Sequence, residues 1–180
     1  YGRIGGPMPH DQITNTHNSS IQLPHPSGLL RILMRFPILL YRLNLGWLLG
    51  QRFLLLEHRG RKSGIIRQVV IEVVDHDVQK GSYIVAAAWG HQSDWYKNIE
   101  AEPNVTIRVG SMRFPAFAKT LSADEAAPHL NAYATKHPFA FRQLGSLLIG
   151  SKSHDTMQIT KSFLEAIPFV EFVPVREKAA

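Results

Sequence analysis

The chain has 180 residues, a formal net charge of +6 and no cysteine. The absence of cysteine excludes disulfides, thiolate metal sites and cysteine nucleophiles, and fits a reducing compartment such as the cytoplasm. Hydrophobic residues make up 44% of the chain, enough for a real core, and the basic balance favours phosphate-bearing ligands, nucleic acid or an anionic membrane surface.

Three segments follow from the pattern: a flexible arm over residues 1–26, an amphipathic helix over 27–50 and a barrel domain over 51–176. The arm is rich in Gly, Pro, Asn and Ser and lacks periodicity. Its polar, proline-rich residues do not form a secretory pattern. The stretch Leu29–Leu49 is the most apolar of the chain, with Ser27 as an N-cap, Gly50 as a stop and a kink expected at Pro37. Arg31, Arg35 and Arg42 fall within roughly 40° on a helical wheel. Three guanidiniums on one stripe argue against a membrane span. They leave two readings open: a helix packed on the domain with its arginines in water, or a peripheral helix at a membrane surface.

Phe53 to His58 reads as a buried strand and Arg67 to Val74 as the next, with Val69, Ile71 and Val73 on one face and Glu72 as a polar insert on the other. Asp75-His76-Asp77 reads as the start of a loop. Tyr83 to Ala88 is a third strand, Trp89 to Gln92 a loop, and Trp95 to Glu102 a short helix with Ser93 as N-cap and Pro103 as terminator. Val105 to Val109 and Met112 to Lys119 are strands, with Pro115 marking an edge or bulge. Ser122 and Glu125 form a capping box that opens a helix to about Lys136. A further helix is expected over 139–149, a polar loop over 151–160 with the start of a helix near its end, and a last strand around Val170, Phe172 and Val175. Six strands without β-α-β alternation predict a small antiparallel barrel with helices against it. The oligomeric expectation is a monomer or homodimer.

Between the first two strands lies Gly60-Arg61-Lys62-Ser63-Gly64, flanked by Arg59 and Arg67. Guanidinium and ammonium groups, a hydroxyl and amides at Gly60 and Gly64 that look free could hold a phosphate or carboxylate. An exposed hairpin with solvated cations is the equal alternative. Trp95 and Tyr96 open a helix whose first amides also favour anions. The turn is not a Walker loop, no Gly-x-Ser-x-Gly is present, and His91, His129, His137 and His154 lack metal-ligand spacing. No basic-aromatic strand or helix-turn-helix pattern supports nucleic acid as the partner. A site in which a cofactor does the chemistry is favoured.

Leu54-Leu55-Leu56, Gly60 to Gly64 with Arg67, Ala86-Ala87, Trp95-Tyr96-x-Asn98 and Ala101-x-Pro103-x-Val105, in this order, resemble the deazaflavin-dependent nitroreductase family. These are split β-barrel oxidoreductases that use coenzyme F420. The resemblance implies that Arg61, Lys62, Ser63 and Arg67 hold the phosphate and acidic tail of the coenzyme. It implies that Ala86, Ala87, Ala88 and Trp89 line the ring, and that Asp94, Trp95 and Asn98 close the site. Hydride would pass to a small electrophilic acceptor such as a quinone, nitro compound or activated alkene, with Tyr96 or a water as proton source. FMN is the alternative cofactor, and a redox-inactive binder of apolar ligands at a membrane surface is the alternative function. The chain departs from the family's pattern at Ile66, Val70, Glu72, Ala88 and Trp89, and after Pro138, where Phe139, Ala140, Phe141 and Gln143 stand.

Overall fold

The computed structural model describes residues 38–39, 41, 43, 46–139, 141 and 156–175. The arm over 1–26, the three arginines of the 27–50 stretch, nearly all of the stretch expected as a helix over 139–149 and the first half of the 151–160 stretch lie outside the described residues.

Six strands form a closed barrel: β1 (Phe53–Arg59), β2 (Ile66–Asp77), β3 (Ser82–Ala86), β4 (Asn104–Val109), β5 (Met112–Thr120) and β6 (Phe169–Pro174). Around the barrel the order is β1-β2-β3-β6-β5-β4, and every neighbouring pair is antiparallel. Alternation decides what faces inward. Leu54 and Leu56 of β1, Val85 of β3, Ile107 of β4 and Phe172 of β6 are all fully buried in the barrel interior. Each such side chain contributes about 1.5–3 kcal/mol by leaving water. Ile71 faces in with the partly buried Val69 and Val73, as the alternation of β2 requires.

Helices α1 (Asp94–Ala101), α2 (Ala123–Lys136) and α3 (Thr156–Ala166) accompany the barrel, and α3 opens where a helix start is expected near the end of the 151–160 stretch. The capping box at the start of α2 is formed. Glu125 N donates to Ser122 Oγ at 3.3 Å, and Ser122 N donates to Glu125 Oε2 at 2.9 Å. A second apolar cluster lies outside the barrel wall, where Leu130 and Tyr133 of α2 and Phe163 of α3 meet Ile84 of β3 and Phe169 of β6.

The structure departs from the sequence expectation in three places. β2 runs on to Asp77 through the residues read as a loop, with a register shift between Val73 and Asp75. Tertiary partners hold this polar end: His76 stacks on Tyr83 at 4.2 Å, and Asp75 bonds to α2. β3 stops at Ala86 rather than Ala88: its next partner, Pro168, accepts from Ala87 N at 2.9 Å but has no N–H to return, and Ala87 O accepts from Gly90 N instead. Finally, Gly46–Leu49 is a 3-10 turn inside the stretch read as one helix. The chain bends back there, and a Cβ on Gly46 would stand 2.6 Å from the Tyr41 ring and 2.7 Å from Gly110 O. Tyr41 itself is buried, donates to Phe53 O at 2.7 Å, and its carbonyl accepts from Arg108 at 2.8 Å.

Pro115 sits where its missing N–H is tolerated. Its carbonyl accepts from Val175 N just past β6, so the proline lies at the frayed end of that ladder.

Candidate active site at the first hairpin

The β1–β2 turn closes on itself. Gly60 N donates to Ile65 O at 2.9 Å and Gly64 N to Gly60 O at 2.7 Å. The expectation of free amides at these two glycines is therefore corrected: a tight turn satisfies its own backbone, and anion binding falls to side chains. Gly64 has φ +66, a conformation that disfavours any side chain. Gly60 is needed for space, because a Cβ there would lie 2.8 Å from Ser63 Oγ and 3.0 Å from Arg67 Nε. Ser63 and Arg67 are thus drawn together under the turn.

The charges of this region fall into two groups. Arg61 is paired internally, its guanidinium 3.4 Å from Asp94 Oδ1, and its side chain is 27% exposed. Lys62 and Arg67 are exposed and have no carboxylate partner among the described residues. Arg59 donates to Gly64 O at 3.0 Å. Elsewhere on the barrel, arginines do find carboxylates, such as Arg113 with Glu57 and Arg52 with Glu72. Unneutralised cations gathered at one tip are a donor set suited to an anionic group.

The turn and the start of α1 form one unit. Asn98 Oδ1 accepts from the Arg61 backbone N–H at 3.0 Å and from the Arg61 guanidinium at 2.9 Å. Two stretches that the sequence offers separately therefore meet through one side chain. Asn98 is buried, and its Nδ2 lies 3.2 Å from Nδ1 of buried His58. Because both acceptor positions of Asn98 Oδ1 are taken by Arg61, Nδ2 must be the atom that faces His58, and Nδ1 must be an unprotonated acceptor. Burial lowers the pKa of His58 and the Arg67 charge adds to this, against a backbone bond at Arg59 and the charge of Asp94. His58 was not among the residues expected in the site. Its signal is the alternation Leu54, Leu56, His58, which carries a polar residue onto the inward face of β1.

The remaining expected residues spread around α1 and the end of β3. Ala87 is fully buried in the barrel core, whereas Ala86 and Trp89 are half-buried and Ala88 is exposed. Gly90, at φ +62, packs against Ala166 O, which leaves no room for a side chain. Trp95 and Tyr96 are buried in the barrel cluster with Ile99. The Tyr96 ring is edge-on to His91 at 5.6 Å and to Trp95 at 6.1 Å. Ser93 takes the N-cap position of α1, but its side chain caps nothing; its Oγ is buried and has no hydrogen-bond partner among the described residues. A buried hydroxyl without a partner, at the helix start that the basic turn reaches through Arg61 and Asp94, fits a site built for a polar ligand. Among the described residues no group of His, Asp and Glu could hold a metal ion. None of the described helices is long and apolar enough to cross a membrane.

Residues 40–145 match the family model of the F420H(2)-dependent quinone reductases. The matched stretch holds the basic turn and α1 and ends before α3 and β6. The Mycobacterium tuberculosis (strain ATCC 25618 / H37Rv) protein Rv3178, whose name assigns it to the same quinone reductases, is 36% identical over 88 residues, covering 48% of this chain and 72% of that protein. Among solved structures, an F420-H2 dependent reductase, FDR-A, aligns with a TM-score of 0.48 and 20% identity over 68% of this chain and 95% of its own. An FMN-binding, pyridoxamine 5'-phosphate oxidase-related protein from Nostoc punctiforme aligns with a TM-score of 0.44 and 11% identity, over 83% and 82% of the two chains.

Proposed function

The chain belongs to the F420H(2)-dependent quinone reductase family, and we propose that it is an oxidoreductase that binds coenzyme F420 and reduces a quinone-like acceptor. When bound, the reduced coenzyme supplies the hydride. The observation that carries this reading is the Arg61–Asn98 junction, which makes the basic turn and α1 a single site.

Lys62, Ser63 and Arg67 are the residues for the phosphate and acidic tail of the coenzyme. They are exposed, close together through the fold of the turn, and not neutralised from within. Arg61 has a different part. It spends its hydrogen bonds on Asn98 and Asp94 and so sets where the turn stands relative to α1. Trp95 anchors α1 in the barrel core, with Ala86, Ala88 and Trp89 on the adjoining segment as the surface for the flat ring. Small alanine side chains let a planar group approach the backbone. Tyr96 is the candidate proton donor to the reduced acceptor.

The test is a fluorescence titration of the purified chain with F420 beside a parallel titration with FMN, followed by turnover with a simple quinone. Saturable F420 binding in the micromolar range, with quinone-dependent oxidation of the reduced coenzyme, is expected. FMN binding in place of F420, or no binding of either, rejects the reading.

A further inference from the structure

We propose that His58 is a positioning residue for the coenzyme: its imidazole orients Asn98, and Asn98 in turn fixes Arg61 and the basic turn against α1. The inference rests on the coenzyme reading above and deepens it by adding a residue that reading does not use.

The argument is one of donors and acceptors. Asn98 has one acceptor atom and one donor atom, and the junction uses both. Oδ1 takes the Arg61 amide and guanidinium, and Nδ2 points at His58 Nδ1 at 3.2 Å. Only an imidazole with a bare Nδ1 can receive that N–H. If Nδ1 carries a proton, two donors oppose each other. Turning the Asn98 amide over does not help, because its NH2 would then face the Arg61 amide and guanidinium. A proton added at His58 Nδ1 therefore breaks the contact between α1 and the turn. With Asn98 3% and His58 4% exposed, water offers little substitute.

Of the charges around His58, Arg67 acts in the same direction and Asp94 against it. Arg67 stands directly opposite it in the β1–β2 register, Arg59 follows it in β1, and Arg61 lies beyond Asn98. The facing carboxylate is Asp94 at the start of α1, which is highly exposed and engaged with Arg61. Glu57, the preceding residue, is bonded to Gln68 and Arg113. Burial and the Arg67 charge together hold the imidazole below its ordinary pKa. The junction is intact in the neutral form, so coenzyme affinity falls as pH falls into the range where His58 gains its proton. By linkage, bound coenzyme makes His58 harder still to protonate.

The first experiment needs no coenzyme. Histidine NMR on the unliganded chain should show His58 with a bare Nδ1, titrating below the usual value of about 6.5. Asn98→Ala should change the His58 signals at neutral pH. The second measures F420 affinity from about pH 5 to 8 for wild type, His58→Gln, His58→Phe, Arg61→Ala and the double variant His58→Phe/Arg61→Ala. His58→Phe, which has no acceptor, should bind about tenfold more weakly. His58→Gln, whose amide oxygen can accept from Asn98, should recover most of that loss and bind with a flatter pH profile. The titration of the coenzyme itself is common to all variants and cancels in the comparison. In the Arg61→Ala background the effect of His58→Phe should shrink, because Asn98 then holds only the backbone amide of residue 61. Additive losses, or a His58→Gln profile that matches wild type, overturn the inference. If wild type fails to bind at any pH, the coenzyme reading falls and takes this inference with it; additive losses in a chain that binds remove this inference alone.

Discussion

Asp75 Oδ2 lies 2.8 Å from His129 Nδ1, and this pair ties the end of β2 to the middle of α2. Lys136 reaches the other Asp75 oxygen at 3.3 Å from about two turns farther along the same helical face. Burial pushes the Asp75 carboxyl up, but the bonds from His129 and Lys136 outweigh it and hold the group below the usual carboxylate range.

The sign of the pH effect follows. A carboxyl with a lower pKa in the folded chain binds fewer protons there than in the unfolded chain. Its stabilisation is therefore full above the ordinary value near 3.8 and is lost as the pH falls through the folded value. Asp75→Asn should lower stability at neutral pH by about 1 kcal/mol. The gap between variant and wild type should close in acid. Urea melts at neutral pH and at pH about 3 would show this; a gap that stays constant would mean that the contact is not electrostatic.

His58 gives the same sign from a different cause, burial of a base rather than pairing of an acid. Its folded pKa lies below its ordinary value of 6.5, so the folded chain resists a proton that the unfolded chain accepts. Its neutral form costs nothing above that value. As the pH drops below it, stability is lost. Thermal midpoints should therefore decline from neutral pH toward about pH 5 in wild type and decline less in His58→Gln.

The barrel was legible because its strands carry the period of two that a half-buried wall requires. Leu54 and Leu56, Val105, Ile107 and Val109, and Val170 and Phe172 each declare an inward face. The capping box at Ser122 was legible because it is local. What escaped depends on distant partners. The polar end of β2 is strand because Tyr83 and α2 receive it, and nothing in Asp75-His76-Asp77 records those neighbours. The site shows the same division. The turn and Trp95-Tyr96-x-Asn98 could be read as two candidate stretches, but a sequence cannot tell which cation of a cluster points inward. Arg61 does so because Asn98 lies 37 positions away and faces it.

The two glycines of the turn should separate binding from stability. Gly64→Ala places a side chain at φ +66 in open space, and should cost about 1 kcal/mol of stability while leaving the cations in place. Gly60→Ala instead pushes on Ser63 Oγ and Arg67 Nε, the ends of flexible side chains. It should leave the melting temperature nearly unchanged and weaken F420 binding several-fold. Paired calorimetry and fluorescence titration test this, and equal effects of the two variants on affinity would contradict it.

Lys62 and Arg67 should carry the salt dependence of binding, since their charges lack internal partners among the described residues. Lys62→Ala and Arg67→Ala should each weaken F420 binding by roughly tenfold and flatten its dependence on ionic strength. Arg61→Ala should behave differently: it should also destabilise the junction with Asn98, and so lower stability as well as affinity. Titrations at low and moderate salt, read beside thermal melts, distinguish a ligand-holding charge from a positioning one. A Lys62→Ala variant with unchanged salt response would move the anion site away from this turn.

Tyr96 separates catalysis from packing. Its ring is buried among Trp95, Ile99 and the barrel interior, so removing only the hydroxyl leaves the core filled. Tyr96→Phe should therefore fold with a melting temperature close to wild type and bind F420 normally. If the phenol delivers the proton to the reduced acceptor, kcat for quinone reduction should fall about 100-fold, the lower range for loss of a general acid, while coenzyme affinity holds. Steady-state turnover together with the F420 titration reads both quantities from one preparation. Unchanged kcat would assign the proton to water and leave Tyr96 as part of the core.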